Sequence, residues 1–401
     1  MNAFDSSAAQ AGRVPTRGEL VASALALHPL LRQYSGWAEA ERRPAPEVTK
    51  ALAEAGFFRL MKPVRFGGYE ADLRTVTEVL EALGRGDGSA AWLVGVATTA
   101  SWMAGLASEQ AQLDLFGPDP DSRVAGGSNP SPARAVEGGY VISGRWAYSS
   151  GAHHATWATM GALITDDSGH VVDVVLALAP ASELGIEETW QTVGMRGTGS
   201  HTFVADDVFV PTHRTFSMGR MARGIWPVPT DEAMYRLPLG PLATLLLAAP
   251  LLGLGQAALD LVVAKAHDKG VAHTFFQHQS DSVGVQIQIA EASLKIRTAR
   301  LHLHAVADEI DAATSRGEQV DFGARAAYRA QCGHAAQQVL EALNILLNVH
   351  GAGSFAENNP LQQYWRDANT AARHGSLNAT VGYEIHGKAL LGIDEPVSPL
   401  I

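Results

Sequence analysis

The chain has 401 residues, 46% of them hydrophobic and 18% charged, with a formal net charge of -11 and one cysteine. Such a composition buries large cores and is not that of a disordered chain. The acidic balance speaks against a nucleic-acid partner, which needs clustered Lys and Arg, and a single thiol excludes an intramolecular disulfide.

The opening stretch, MNAFDSSAAQAGRVPTRGEL, is polar and carries no apolar run, so a soluble, cytoplasmic protein is expected. Apolar residues then recur at helical spacing through LVASALALHPLLRQYSGWAEAERR and APEVTKALAEAGFFRL. PVRFGGYEAD breaks that pattern with Pro and paired Gly, and LRTVTEVLEALGRGDGSAAWLVGVATTASWMAGL resumes it as two helices around the turn GRGDGS. Near Asp119 the texture changes. GPDPDSRVAGGSNPSP reads as turns. RAVEGGYVISGRWAYSSG, TWATMGALITD, HVVDVVLALAP and HTFVADDVFVP then alternate in the manner of strands, with Gly-Gly, Asp-Asp and Asp-Ser-Gly between them. From Leu237 to Leu259 no residue is charged. That is long enough to cross a bilayer, but its prolines, its glycines and the amphipathic DLVVAKAHDKG that follows favour a core helix covered by neighbours, other subunits included. Long helices continue through DSVGVQIQIAEASLKIRTARLHLHAVADEIDAATSRG and FGARAAYRAQCGHAAQQVLEALNILLNVHG, and a shorter one stops at His374-Gly375. The expected fold is α+β and multidomain: an N-terminal helical domain (1–120), a central antiparallel β domain (121–230) and a C-terminal helical bundle (231–401).

There is no Walker loop, and no GxGxxG follows a strand. Histidines number fifteen, with His153-His154 and His302/His304 the densest sets. Residues two apart on a helix face different ways, and HExxH is absent, so no metal site is expected. Cys332 lies in an Ala-rich helix and reads as a buried structural thiol. ISGRWAYSSGAHHATW and WQTVGMRGTGSHTFVADDVFVP carry the strongest chemical signal. Serines beside a strand-end glycine offer hydroxyls and backbone N–H groups together, an edge suited to a flavin; an ordinary Gly-rich β corner has the same composition. His374, at the helix stop, reads as a cation on the helix dipole or as a catalytic group.

The order of these motifs resembles the acyl-CoA dehydrogenase fold over almost the whole chain. RFGGYEAD, AWLVGV, WAYSSGAHHATW, GMRGTGS and NPLQQYWRDANTAARHG more specifically resemble the oxygenase components of two-component flavin-dependent monooxygenases, such as the steroid-phenol and 4-hydroxyphenylacetate hydroxylases. The resemblance implies a homotetramer with no membrane partner. It would receive reduced FMN or FAD from a separate NAD(P)H-dependent flavin reductase and hydroxylate an aromatic or polycyclic substrate with O2, through a C4a-hydroperoxyflavin. Dehydrogenases of the common type carry a catalytic carboxylate at the place of Gly375, beside His374. Here no Asp or Glu occurs between Asp367 and Glu384. A histidine there implies a base that takes or shares a phenolic proton.

By the same resemblance Ser149 and Ser150 face the flavin, Ser150 in a catalytic role, with Tyr148 beside the ring, Trp92 lining its pocket, and Ser128 and Gly375 nearby. Gly353 approaches the cofactor from a neighbouring subunit. Arg196 is structural or steers substrate, and Asp367, two turns from His374, forms a structural ion pair. Lys269 and His273 stand where dehydrogenases carry an Arg-rich pyrophosphate motif, a departure that suits borrowed flavin. The alternatives are an N- or S-oxygenase, an acyl-CoA dehydrogenase with a relocated base, and a non-catalytic flavin-binding protein.

Overall fold

The computed structural model describes residues 13–166, 168–222, 232–393, 395 and 397–398. Six helices come first: α1 (Arg17–Ala26), α2 (His28–Glu41), α3 (Pro46–Glu54), α4 (Leu73–Gly86), α5 (Gly88–Ala104) and α6 (Glu109–Phe116). Seven strands follow: β1 (Val124–Val136), β2 (Gly139–Ser149), β3 (Trp157–Thr165), β4 (Val171–Pro180), β5 (Gly185–Glu187), β6 (His201–Pro211) and β7 (Thr215–Ser217). After a short α7 (Met218–Ala222), the chain ends in α8 (Leu239–Ala266), α9 (Val283–Ser315), α10 (Phe322–His350), α11 (Pro360–Ala371) and α12 (Ala379–Leu390).

Capping explains most helix starts. Thr16 and Glu19 form a capping box on α1. The carboxylates of Asp72, Asp87 and Asp321 accept first-turn amides of α4, α5 and α10. The first long periodic stretch is two helices, broken at Leu27, because Pro29 sits in the first turn of α2, where its missing N–H is harmless. Between α4 and α5 only Asp87 leaves the helical conformation. Gly86 and Gly88 are therefore helical rather than parts of a turn.

The strand order is β5-β6-β2-β1-β3-β4-β7. Five neighbouring pairs are antiparallel, but β1 and β3 run parallel, so the sheet is mixed. β1 begins at Val124, inside the stretch read as turns. Its Gly and Pro mark an irregular strand, whose register against β3 slips between Gly127 and Ser131.

Two cores result. One runs through both helical blocks, from Leu20 to Leu377, and the other lies in the sheet around Ile142, Trp146, Met160 and Phe203. The spine of the first is α8, the uncharged helix, whose apolar window is 89% buried within the chain. It meets α4 at a glycine pair: a Cβ on Gly84 would lie 2.6 Å from Pro250 O, and one on Gly253 would lie 2.3 Å from Glu81 O.

Candidate active site

A cavity of about 660 Å³ opens where α5, β1, the end of β2, the segment from Trp190 to Ser200 and the end of α11 meet. Trp92, Tyr148 and Trp190 give it flat apolar walls, and Gly126 and Gly127 give it open backbone. A second chamber of about 180 Å³ adjoins it, walled mainly by Val96, Ala100, Met103, Leu176, Ala243 and Leu247. His374, Ser128, Val96 and Gly126 border both spaces.

The end of β2 shows how backbone geometry chooses between two adjacent serines. Tyr148 has a left-handed φ of 61°, and the β2–β6 register slips between Trp146 and Ser149. Alternation is broken there. The Tyr148 ring turns outward, 72% exposed, and packs edge-on against Trp190 at 6.1 Å. Ser149 turns inward, fully buried, and its hydroxyl donates to Trp146 O at 2.9 Å. It does not line the cavity, contrary to the expectation. Ser150 does. Its Oγ accepts from Trp92 Nε1 at 3.3 Å and lies 2.8 Å from Ser200 Oγ, which lies 2.7 Å from Thr198 Oγ1. The result is a line of three hydroxyls along one wall.

α11 ends at Ala371, so His374 is not its last-turn cation. It caps the next turn, Gly375–Leu377, where Ser376 N–H donates to its Nδ1 at 3.2 Å. A neutral ring held this way carries its proton on Nε2. The ring packs edge-on against Trp92, with centroids 5.9 Å apart. The side chain is exposed to the open cavity, while the protein packed around it still strips part of its hydration. This desolvation, and next the charge of Arg329, hold its pKa below the usual 6.5.

Of the other expected positions, Trp92, Ser128, Tyr148 and Gly375 line the cavity. Gly353 does not; it sits in the turn after α10, beside Lys269, whose Nζ donates to His350 O. Arg196 turns away and donates to Glu39 O at 2.8 Å. His273 adopts a left-handed φ of 59° in the loop after α8 and is also outside the cavity lining. Asp367 makes no ion pair among the described residues; its Oδ1 accepts the Met195 N–H instead. Cys332 is buried, its thiol pushed up to about 12 by desolvation. His302 pairs edge-on with His334 of α10, at 5.2 Å, rather than with His304.

Among the described residues one group has ligand-like spacing: His153, Glu188 and His201, whose ligand atoms lie within 4.8 Å of one another. Trp190 N–H donates to His201 Nδ1, and His201 Nε2 faces Arg42 O and Glu188. The proton therefore sits on Nε2, and His201 has no lone pair left for a cation. Thr198, Ser200 and Trp190 were not singled out in the sequence. The period-two spacing of Thr198 and Ser200, next to a strand start, was the available signal.

Comparison with known proteins agrees with this geometry. Residues 23–116 match the acyl-CoA dehydrogenase N-terminal domain and residues 245–379 the C-terminal domain. The oxygenase subunit HsaA of a flavin-dependent monooxygenase from Rhodococcus jostii (strain RHA1) is 35% identical over 92% of this chain and 97% of its own. The oxygenase component of an FADH2-dependent resorcinol hydroxylase from Rhizobium sp. (strain MTP-10005) is 30% identical over 89% and 90%. The structure of XiaF from Streptomyces sp., in complex with FADH2 and glycerol, superposes with a TM-score of 0.92 at 35% identity, covering 96% and 98%. With its two helical blocks matched to the dehydrogenase domains and 92% of its length matched to an oxygenase subunit, the chain belongs to the oxygenase components of flavin-dependent monooxygenases, built on the acyl-CoA dehydrogenase fold.

Proposed function

We propose that this chain takes reduced FMN or FAD from a separate NAD(P)H-dependent reductase and uses O2 to hydroxylate a phenolic aromatic or polycyclic substrate. One observation carries the reading. A neutral imidazole, His374, stands between the flavin-sized cavity and an apolar chamber, and among the described residues no Asp or Glu lines either space. Removing an α-proton from a thioester needs a base within reach of it.

The residues present fit a flavin. Trp92, Tyr148 and Trp190 offer faces for a planar ring, and Ser150, Ser200, Gly126 and Gly127 offer polar edges. When bound, reduced flavin supplies the electrons that activate O2 for transfer of one oxygen atom. The protein supplies position and protons. Met103, Leu176 and Leu247 exclude water and hold a ring system in the chamber. Nε2–H of His374 is free to donate to the phenolic oxygen, which stabilises the phenolate, the electron-rich form of the ring. Ser150, fixed between Trp92 and Ser200, keeps a hydroxyl on the cavity wall.

The remaining assignments extend this reading. Gly353 lies outside its own cavity lining and is assigned to a neighbouring copy's flavin. Val283, Ile287, Leu294 and Leu301 are exposed at helical spacing along α9, which suits burial in a homotetramer. The domain limits 1–120, 121–230 and 231–401 and a cytoplasmic location are kept with it.

The test supplies the purified chain with a flavin reductase, NADH and a panel of phenols in air. Mass spectrometry then looks for a product one oxygen heavier. A parallel anaerobic sample receives oxidised flavin and an acyl-CoA. Hydroxylated phenol, with flavin left oxidised by acyl-CoA, is expected; bleaching of the flavin by acyl-CoA would overturn the proposal.

A further inference from the structure

From Glu188 to Ser200 the chain crosses between β5 and β6 without forming a strand, yet it brings Trp190, Thr192, Met195, Thr198 and Ser200 to the cavity. The backbone polar groups of Met195 gather these side chains. Its C=O accepts Trp190 Nε1 at 2.9 Å and Thr198 Oγ1 at 2.8 Å. Thr198 continues to Ser200 and then to Ser150. The Met195 N–H donates to Oδ1 of Asp367, a residue 172 positions away.

Two further features show that this turn is held rather than relaxed. Met195 has a left-handed φ of 53°, a conformation that residues other than Gly keep only when their surroundings impose it. Gly194 is pressed against α11 so closely that a Cβ would lie 2.2 Å from Arg366 O. Asp367 itself is 1% exposed. It precedes Thr370 and Ala371, which line the cavity on the same helix. A buried carboxyl without a cation is expensive unless it satisfies a specific partner, and the Met195 amide is the partner seen.

We infer that Asp367 is a positioning residue. Through the Met195 amide it holds the left-handed turn that sets Trp190 and the Thr198–Ser200–Ser150 hydroxyls on the cavity wall. The inference concerns the chain's own geometry; only its affinity readout rests on the flavin reading above.

The test is a double-substitution cycle on the full-length chain: Asp367→Ala, Met195→Gly and both together, with Asp367→Asn as the conservative control. Two readouts are taken: hydrogen exchange of residues 188–200 in the ligand-free protein, and equilibrium dialysis against oxidised FMN and FAD. Asp367→Ala should speed exchange in that segment and weaken flavin binding by about tenfold. Asp367→Asn, whose side-chain carbonyl accepts the same N–H, should stay within about threefold. In the Met195→Gly background the Asp367→Ala substitution should change either readout by less than about threefold, because glycine keeps a positive φ without outside help. If Asp367→Ala unfolds the protein, recovery of a folded double variant is the same result read by thermal melting. Equal losses with and without Met195→Gly, or an unfolded double variant, would overturn the inference. If the unsubstituted chain binds neither flavin, the exchange arm still decides, and the flavin reading is what fails.

Discussion

At the level of single residues, His374 is placed by a backbone donor, Ser376 N–H, and by the edge of Trp92. Its placement requires the neutral ring, because a protonated Nδ1 could no longer accept the Ser376 N–H. Because the folded protein holds its pKa below 6.5, the ring charges only as pH falls below that value. The acid limb of kcat/KM should therefore lie below pH 6.5, and a limb above it would contradict the assignment. His374→Ala should lower coupled phenol hydroxylation by roughly a hundredfold or more, measured as product per reduced flavin consumed. Ser150→Ala removes the hydroxyl that links Trp92 to Ser200. It should divert a larger share of turnover to hydrogen peroxide, read by a peroxidase-coupled assay; unchanged coupling would remove Ser150 from the machinery. At this scale the sequence was a partial guide. Residue type and motif order pointed to Trp92, Ser128, Tyr148, Ser150 and His374. They could not separate Ser149 from Ser150, because that choice depends on one positive φ at Tyr148. Nor could they pair Asp367 with Met195, a contact between distant segments.

At the level of elements, periodicity located the long helices of the C-terminal half closely, since each keeps a continuous apolar face. It failed where a local break costs little. Pro29 in the first turn of α2 left the break at Leu27 unmarked. The parallel β1–β3 pairing was hidden by the Gly and Pro of the β1 bulge. The α4–α8 crossing depends on Gly84 and Gly253. Gly84→Ala drives a Cβ to 2.6 Å from Pro250 O, a backbone atom with little room to yield. It should destabilise the fold by about 1–3 kcal/mol, seen as a lower denaturation midpoint with an unchanged m-value. On α9, the exposed Leu294 and Leu301 serve the proposed assembly. Replacing both with Glu should reduce the mass found by light scattering while leaving the helical circular dichroism intact; an unchanged mass would place the interface elsewhere.

Across the whole molecule, the two helical blocks share one core while the sheet keeps its own. The cavity lies where these bodies meet, so each contributes a wall: α5 the Trp92 side, the segments flanking β2 and β6 the hydroxyl line, and the turn after α11 His374. That arrangement explains why motif order carried more of the functional reading than any single motif did. It also explains why Gly353 stays unaccounted for in one chain, since its partner in the proposed assembly is another copy. The claim that matters most is that an oxygen atom from O2 reaches a phenol in this cavity, with His374 Nε2–H donating to the phenolate oxygen. A single turnover of reduced flavin, the chain and a phenol under 18O2 tests it directly. One 18O atom in the hydroxylated product, strongly diminished in His374→Ala, is the predicted result. Product without 18O, or full incorporation in the variant, would contradict the account.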